Sequence, residues 1–84
     1  MIVKDYYQNI NVHKPRDYFE RWYADLWKRR FGTSRLAPPG SLYRILEEEL
    51  EQVGATYERT ERDYRFRVFF DNDKDYTAFV LKWS

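Results

Sequence analysis

Apolar and polar positions change period twice along this chain, and the changes mark out its elements. Over residues 15–31 the apolar side chains Tyr18, Phe19, Trp22, Tyr23, Leu26, Trp27 and Phe31 recur at helical spacing. Pro15 suits a first helical turn. Asp17 and Glu20 sit near the positive end of the helix dipole, Lys28, Arg29 and Arg30 near the negative end, and Gly32 supplies a left-handed stop. Arg21/Asp25 and Asp25/Arg29 have the i,i+4 spacing of ion pairs. Residues 32–41 (GTSRLAPPGS) read as a loop, because Pro38-Pro39 cannot continue a helix. Ser41 then suits the N-cap of a second helix, Leu42 to Val53, with Leu42, Ile45, Leu46, Leu50 and Val53 on one face and Gly54 at its end.

The period then falls to two. Ala55–Thr60 and Tyr64–Phe70 form a predicted hairpin across Glu61-Arg62-Asp63. Tyr64, Phe66, Val68 and Phe70 point to one side, Arg65, Arg67 and Phe69 to the other, so one face is core and the other basic and wet. Residues 1–12 are β-prone without a regular pattern and suit a short strand or docked arm. In the last segment Tyr76, Phe79, Val80 and Trp83 fit a helix, while Thr77, Phe79, Leu81 and Trp83 fit a strand. Asp73-Lys74-Asp75 reads as a first turn, with Asp73 as its cap, and favours the helix. The expected architecture is a single α+β domain over residues 1–84. Two helices pack on a small antiparallel sheet, made from the hairpin 55–70 and an N-terminal strand, and a short C-terminal helix or strand completes it.

Composition explains how so short a chain holds a core. The 84 residues include no cysteine but six Phe, three Trp and eight Tyr, and each ring buries roughly 150–250 Å². No apolar run approaches the roughly 20 residues of a membrane helix, and Met1 to Ile10 lacks the pattern of a secretory signal. The expected location is therefore the cytoplasm. Net charge is +1, but residues 1–35 hold eight Lys/Arg against four Asp/Glu, and residues 36–84 hold seven against ten. Such polarity can orient a partner.

Catalytic apparatus is hard to find. Nucleophilic chemistry needs a base in reach of Ser or Cys. The one histidine, His13, lies beside the helix start near Asp17, Ser41 reads as a cap, Ser84 ends the chain, and Ser34 has no identifiable base. Asp71-Asn72-Asp73-Lys74-Asp75 begins like a calcium loop, yet Tyr76 and Lys82 stand where the turn glycine and the bidentate glutamate belong. Gly32, Gly40 and Gly54 are too few for a phosphate-cradling loop. Neither catalysis nor a cofactor is expected.

One feature exceeds what folding needs. On a wheel of about 100° per residue, the apolar arc of the first helix spans about 220°, whereas resting on one core takes little more than about 100°. Its Trp27/Phe31 edge adjoins Lys28, Arg29, Arg30 and Arg35. That mixture matches the composition of interface hot spots. A protein partner, a second copy of the chain, or the chain's own N-terminal arm with Tyr6, Tyr7 and Ile10 would each cover it. Arg30 also interrupts this arc, and Glu49 interrupts that of the second helix. An Arg30–Glu49 ion pair between the helices is expected to specify register more than add stability.

Two partial resemblances bear on function. In Arg62-Asp63-Tyr64-Arg65-Phe66-Arg67-Val68-Phe69, the positions of Arg62, Tyr64, Phe66 and Phe69 resemble the aromatic octapeptide of RRM RNA-binding domains. Asp63, Arg65 and Arg67 depart from it, and the chain has no room for the βαββαβ order. The segment Arg67-Val68-Phe69-Phe70-Asp71-Asn72-Asp73-Lys74-Asp75-Tyr76-Thr77-Ala78-Phe79-Val80-Leu81-Lys82-Trp83 resembles the endings of small uncharacterised accessory proteins of tailed phages: aromatic strand, acidic turn, aromatic segment closing in Lys-Trp. That resemblance implies a small protein, cytoplasmic in the infected host, that binds a host protein.

The leading expectation is a non-catalytic protein-binding module, a modulator of a host protein or a homodimer, using Trp27, Lys28, Arg29, Arg30, Phe31 and Arg35. The alternative is a nucleic-acid binder using Arg59, Arg62, Arg65 and Arg67 with aromatic stacking. It ranks second because Glu58, Glu61 and Asp63 interleave with those arginines.

Overall fold

The computed structural model describes residues 1–7, 10–32, 41–60 and 65–84, with Ser41, Arg59 and Thr60 described as backbone. It is an α+β fold with the order β1 (Ile2–Tyr7), α1 (Tyr18–Phe31), α2 (Ser41–Glu51), β2 (Ala55–Thr60), β3 (Arg65–Phe70) and α3 (Asp73–Trp83). Most of the expected loop 32–41, the turn Glu61-Arg62-Asp63 and Tyr64 lie outside the described residues, as does the side chain of the expected cap Ser41.

The strand order is β1-β3-β2, and both flanking strands run antiparallel to β3. The hairpin strand is thus the centre of the sheet, and β1 and β2 are its edges. Register puts Ile2, Lys4 and Tyr6 opposite Phe70, Val68 and Phe66, with Ala55 and Tyr57 completing the rows. Directly opposed residues share a face, so this face carries the core. Phe66, Val68 and Phe70 are buried, while Arg65 and Arg67 alternate with them in solvent. On the reverse face Val3, Asp5, Tyr7, Thr56, Glu58, Arg65 and Arg67 are exposed and Phe69 is half-buried. The core cluster joins the inner face to Phe19, Trp22, Tyr23 and Leu26 of α1, Leu46 and Leu50 of α2, and Phe79 of α3.

Helix ends differ from expectation by a few residues, for local reasons. α1 starts at Tyr18 rather than near Pro15, because Asp17 is its N-cap and accepts a hydrogen bond from the Glu20 backbone N–H at 2.9 Å. α2 stops at Glu51 rather than Val53, and its last turns tighten as Val53 N–H bonds to the Leu50 carbonyl and Gly54 N–H to that of Glu51. The C-terminal segment is a helix, not a strand. Its cap is Asn72 rather than Asp73: the Asn72 side chain accepts from the Asp75 backbone N–H at 2.8 Å. Of the two expected pairs along α1, Arg29–Asp25 forms at 2.7 Å, whereas Arg21 donates to the Trp83 carbonyl of α3.

Three tyrosines stitch β1, α1 and α3 together. The Tyr6 ring lies flat on Phe19, with centroids 3.8 Å apart and planes 3° from parallel. Its hydroxyl shares a hydrogen bond with that of Tyr18 at 2.8 Å, and Tyr18 shares another with Tyr76 at 3.2 Å. Burial raises the Tyr6 phenol and pushes that of Tyr18 up to about 12. The Tyr6 and Tyr18 hydroxyls therefore stay protonated at neutral pH, and the three hydroxyls bond one another in a chain.

Two outcomes follow for stability. A side chain on Gly54, at φ +73°, would be strained and would run into the Asp75 carboxylate. Gly54→Ala is expected to cost more than about 1 kcal/mol by urea denaturation. Tyr18→Phe removes the middle hydroxyl and strands buried Tyr6, at about 1–3 kcal/mol. Tyr76→Phe removes only an end of the chain and should cost less. Because the Tyr18 phenol is raised in the fold, its contribution is complete below the ordinary phenol range and is lost as pH climbs through about 12.

Candidate partner-binding surface

The aromatic girth of α1 is covered from two directions. Tyr6 of β1 meets Tyr18 and Phe19, while Tyr76 and Phe79 of α3 meet Tyr18 and Trp22 edge-on. The N-terminal arm thus covers the first turns of the helix. Tyr23, Trp27 and Phe31 continue as a ladder with centroid spacings of 6.1 and 4.6 Å. Tyr23 is buried, whereas Trp27 and Phe31 are only half-buried. Trp27 still packs against the core; among the described residues Phe31 is outside that set, its ring tilted 52° against Trp27.

The cations beside this ladder have different tasks. Lys28 is exposed. Arg29 forks onto the Glu49 carboxylate, Nη1 to Oε1 at 3.0 Å and Nη2 to Oε2 at 3.2 Å, while its Nε holds Asp25. Arg30 donates to the same Glu49 at 3.1 Å and lies near Glu48 at 3.7 Å. The expected Arg30–Glu49 contact is present, and Arg29 shares the buried acid with it. Glu49 is only 5% exposed, so two guanidinium groups offset the desolvation of one carboxylate. The Arg29 hydrogen bonds, then those of Arg30, hold the Glu49 carboxyl below its ordinary value against the opposing effect of burial. Arg35 lies outside the described residues.

The hairpin residues divide. Arg67 binds Asp5 at 3.1 Å across the β1–β3 ladder, and Arg65 sits 5.0 Å from the centroid of the Tyr7 ring. Both belong to the open face of the sheet. Arg59 pairs with Phe66 in register, on rows that belong to the core face, and Arg62 lies outside the described residues. Of the four arginines, Arg65 and Arg67 have described side chains, and these two share the open face. No group of three His, Cys, Asp or Glu side chains among the described residues is placed to hold a metal ion. His13 is exposed and its backbone N–H donates to the Asn11 side chain.

No family model, curated protein or solved structure matches this chain. Its surfaces must be judged on their own chemistry.

Sequence reasoning missed two features of these surfaces. Glu20 is buried and accepts from both the backbone N–H and the Nε of Arg16, for which the Asp17/Glu20 capping spacing was the available signal. Tyr7 stands on the open face, 59% exposed, which only the register of β1 reveals.

Replacing Glu49 by Gln keeps its shape and removes the charge that both arginines meet. The variant should lose about 1–3 kcal/mol, or several degrees in Tm, toward the lower end because Arg29 and Arg30 can hydrate when released. The folded-state carboxyl titrates below the unfolded one, so this stabilisation is present above the ordinary carboxylate range and is lost as pH falls through the lowered folded value. Thermal melts from pH 7 to pH 3 should show wild type and Glu49→Gln converging.

Proposed function

We propose that this chain is a non-catalytic protein-binding module that engages its partner through the C-terminal half of α1. The observation that carries this reading is the Phe31 ring tilted against Trp27, half-buried and, among the described residues, outside the core packing, with exposed Lys28 between them in sequence. Half-buried rings next to cations form a surface on which apolar anchors supply affinity and charge supplies orientation and on-rate. Arg29 and Arg30 add positive potential but are anchored to Glu49, so among the described residues Lys28 is the cation assigned to the partner. The partner accordingly offers an apolar recess with an acidic rim. Following the likeness of the C-terminal segment to phage accessory proteins, the reading extends to a modulator of a host protein in the host cytoplasm.

The test separates a foreign partner from a second copy. Tagged wild type and a Phe31→Ala/Lys28→Glu double variant are compared in nuclease-treated lysate of the native host, and both are examined by sedimentation. A captured protein lost with the double variant, at an affinity cost of about 2 kcal/mol or more, is the expected result, with circular dichroism unchanged. Capture that survives the double substitution removes the surface from consideration. A wild-type dimer that the same substitutions dissociate assigns the surface to self-association instead.

A further inference from the structure

At the opposite end of α1, the exposed Tyr7 ring stands at a basic cleft that the partner-binding reading does not use. The cleft has a volume of about 690 Å³ and is lined by Tyr7, Asn11, Lys14 and Arg16. That volume lies within the range of small-ligand sites. We propose that this cleft binds single-stranded nucleic acid, with Tyr7 as the stacking platform for a base and Lys14 and Arg16 as ligands of the phosphodiester backbone.

Each part of the cleft is held in place by the fold. Tyr7 ends β1, and the Arg65 guanidinium of β3 lies 5.0 Å from its ring centroid. With 59% of the residue exposed, surface beyond that contact is open to a planar group. Stacking on an aromatic face accepts every base, and a neighbouring arginine strengthens it. Arg16 is fixed by buried Glu20, which accepts from its backbone N–H at 3.2 Å and from its Nε at 3.0 Å. Those bonds use Nε and leave the two terminal amino groups for an external oxyanion, the geometry in which arginine recognises phosphate. Lys14 is exposed and is carried on a turn closed by its backbone N–H to the Asn11 carbonyl at 3.1 Å.

The charge balance favours an anion. Among the described lining residues the charged side chains are Lys14 and Arg16, both cationic, and the described carboxylates near them have other tasks. Glu20 binds Arg16, Asp17 caps α1, and Asp5 binds Arg67. An acidic peptide would satisfy the cations but not the exposed ring, and the pairing of ring with cations is what selects a polynucleotide strand. This site uses Arg65 from the hairpin but otherwise draws on β1 and the segment before α1.

Fluorescence anisotropy with a labelled oligothymidylate about 12 nucleotides long tests it directly. Wild type should bind at low salt, with affinity falling as salt rises. Tyr7→Ala should weaken binding at least about five-fold, and Tyr7→Phe should restore it. Lys14→Ala should reduce the slope of log affinity against log salt by about 0.7, whereas Lys74→Ala on α3 should not. Absence of binding at low salt, unchanged affinity in Tyr7→Ala with its fold intact by circular dichroism, or competition by oligoglutamate equal to that of unlabelled oligothymidylate would each overturn the assignment.

Discussion

α1 carries aromatic side chains around more than half its circumference, and removing them from water is the constraint the other elements answer. A sheet can cover one side of a helix only. Phe66, Val68 and Phe70 of β3 share one buried core with Phe19, Trp22 and Leu26. The rest of the girth draws in the two ends of the chain. Tyr6 of β1 lies flat on Phe19, and Phe79 of α3 meets Trp22 edge-on. Burying a tyrosine ring also buries its hydroxyl, which needs a partner. The Tyr6–Tyr18–Tyr76 chain meets that need by letting the three phenols bond one another.

The buried acids follow the same logic of compensation. Glu20 and Glu49 are both 5% exposed, and each is met by arginine. Glu20 ties Arg16 to the first turn of α1; Glu49 ties the last turn of α1 to α2. Their effect on surfaces is indirect but large. Glu49 occupies Arg29 and Arg30 at one end of α1, while Glu20 orients Arg16 at the other. The two proposed sites are thus separated by the length of α1, about 20 Å for its 14 residues, and answer to different chemistry: adjoining rings with a lysine at one end, a cationic cleft with an exposed ring at the other.

Much of the architecture was legible because it rests on period and punctuation. The alternation in Arg65–Phe70 foretold which residues are buried, and the helical spacing of Leu42, Ile45, Leu46 and Leu50 foretold the buried face of α2. The charges at 30 and 49, each breaking an apolar stripe, pointed to one ion pair between helices. Helix starts were misplaced by a few residues because several residues in each stretch are competent caps. Only backbone geometry selects Asp17 over the turn at Pro15, and Asn72 over Asp73. The segment 76–83 fitted two periods equally, and helix wins there because Asn72 caps it and Tyr76 and Phe79 then fall together on α1.

What the sequence by itself determined is local: which segments are helix or strand, which faces are apolar, that no cysteine holds the core, and that α1 has more apolar surface than one layer can hide. Tertiary structure decided everything that depends on residues far apart in the chain. It placed β3 between β1 and β2, and so brought Arg65 to the Tyr7 ring and Arg67 to Asp5, pairs separated by some sixty residues. It also divided the surplus of α1, burying Phe19, Trp22 and Tyr23 while leaving Tyr18, Trp27 and Phe31 half-buried. The physical reason is the same in each case: periodicity records what one element needs to bury, and only packing chooses which distant element buries it.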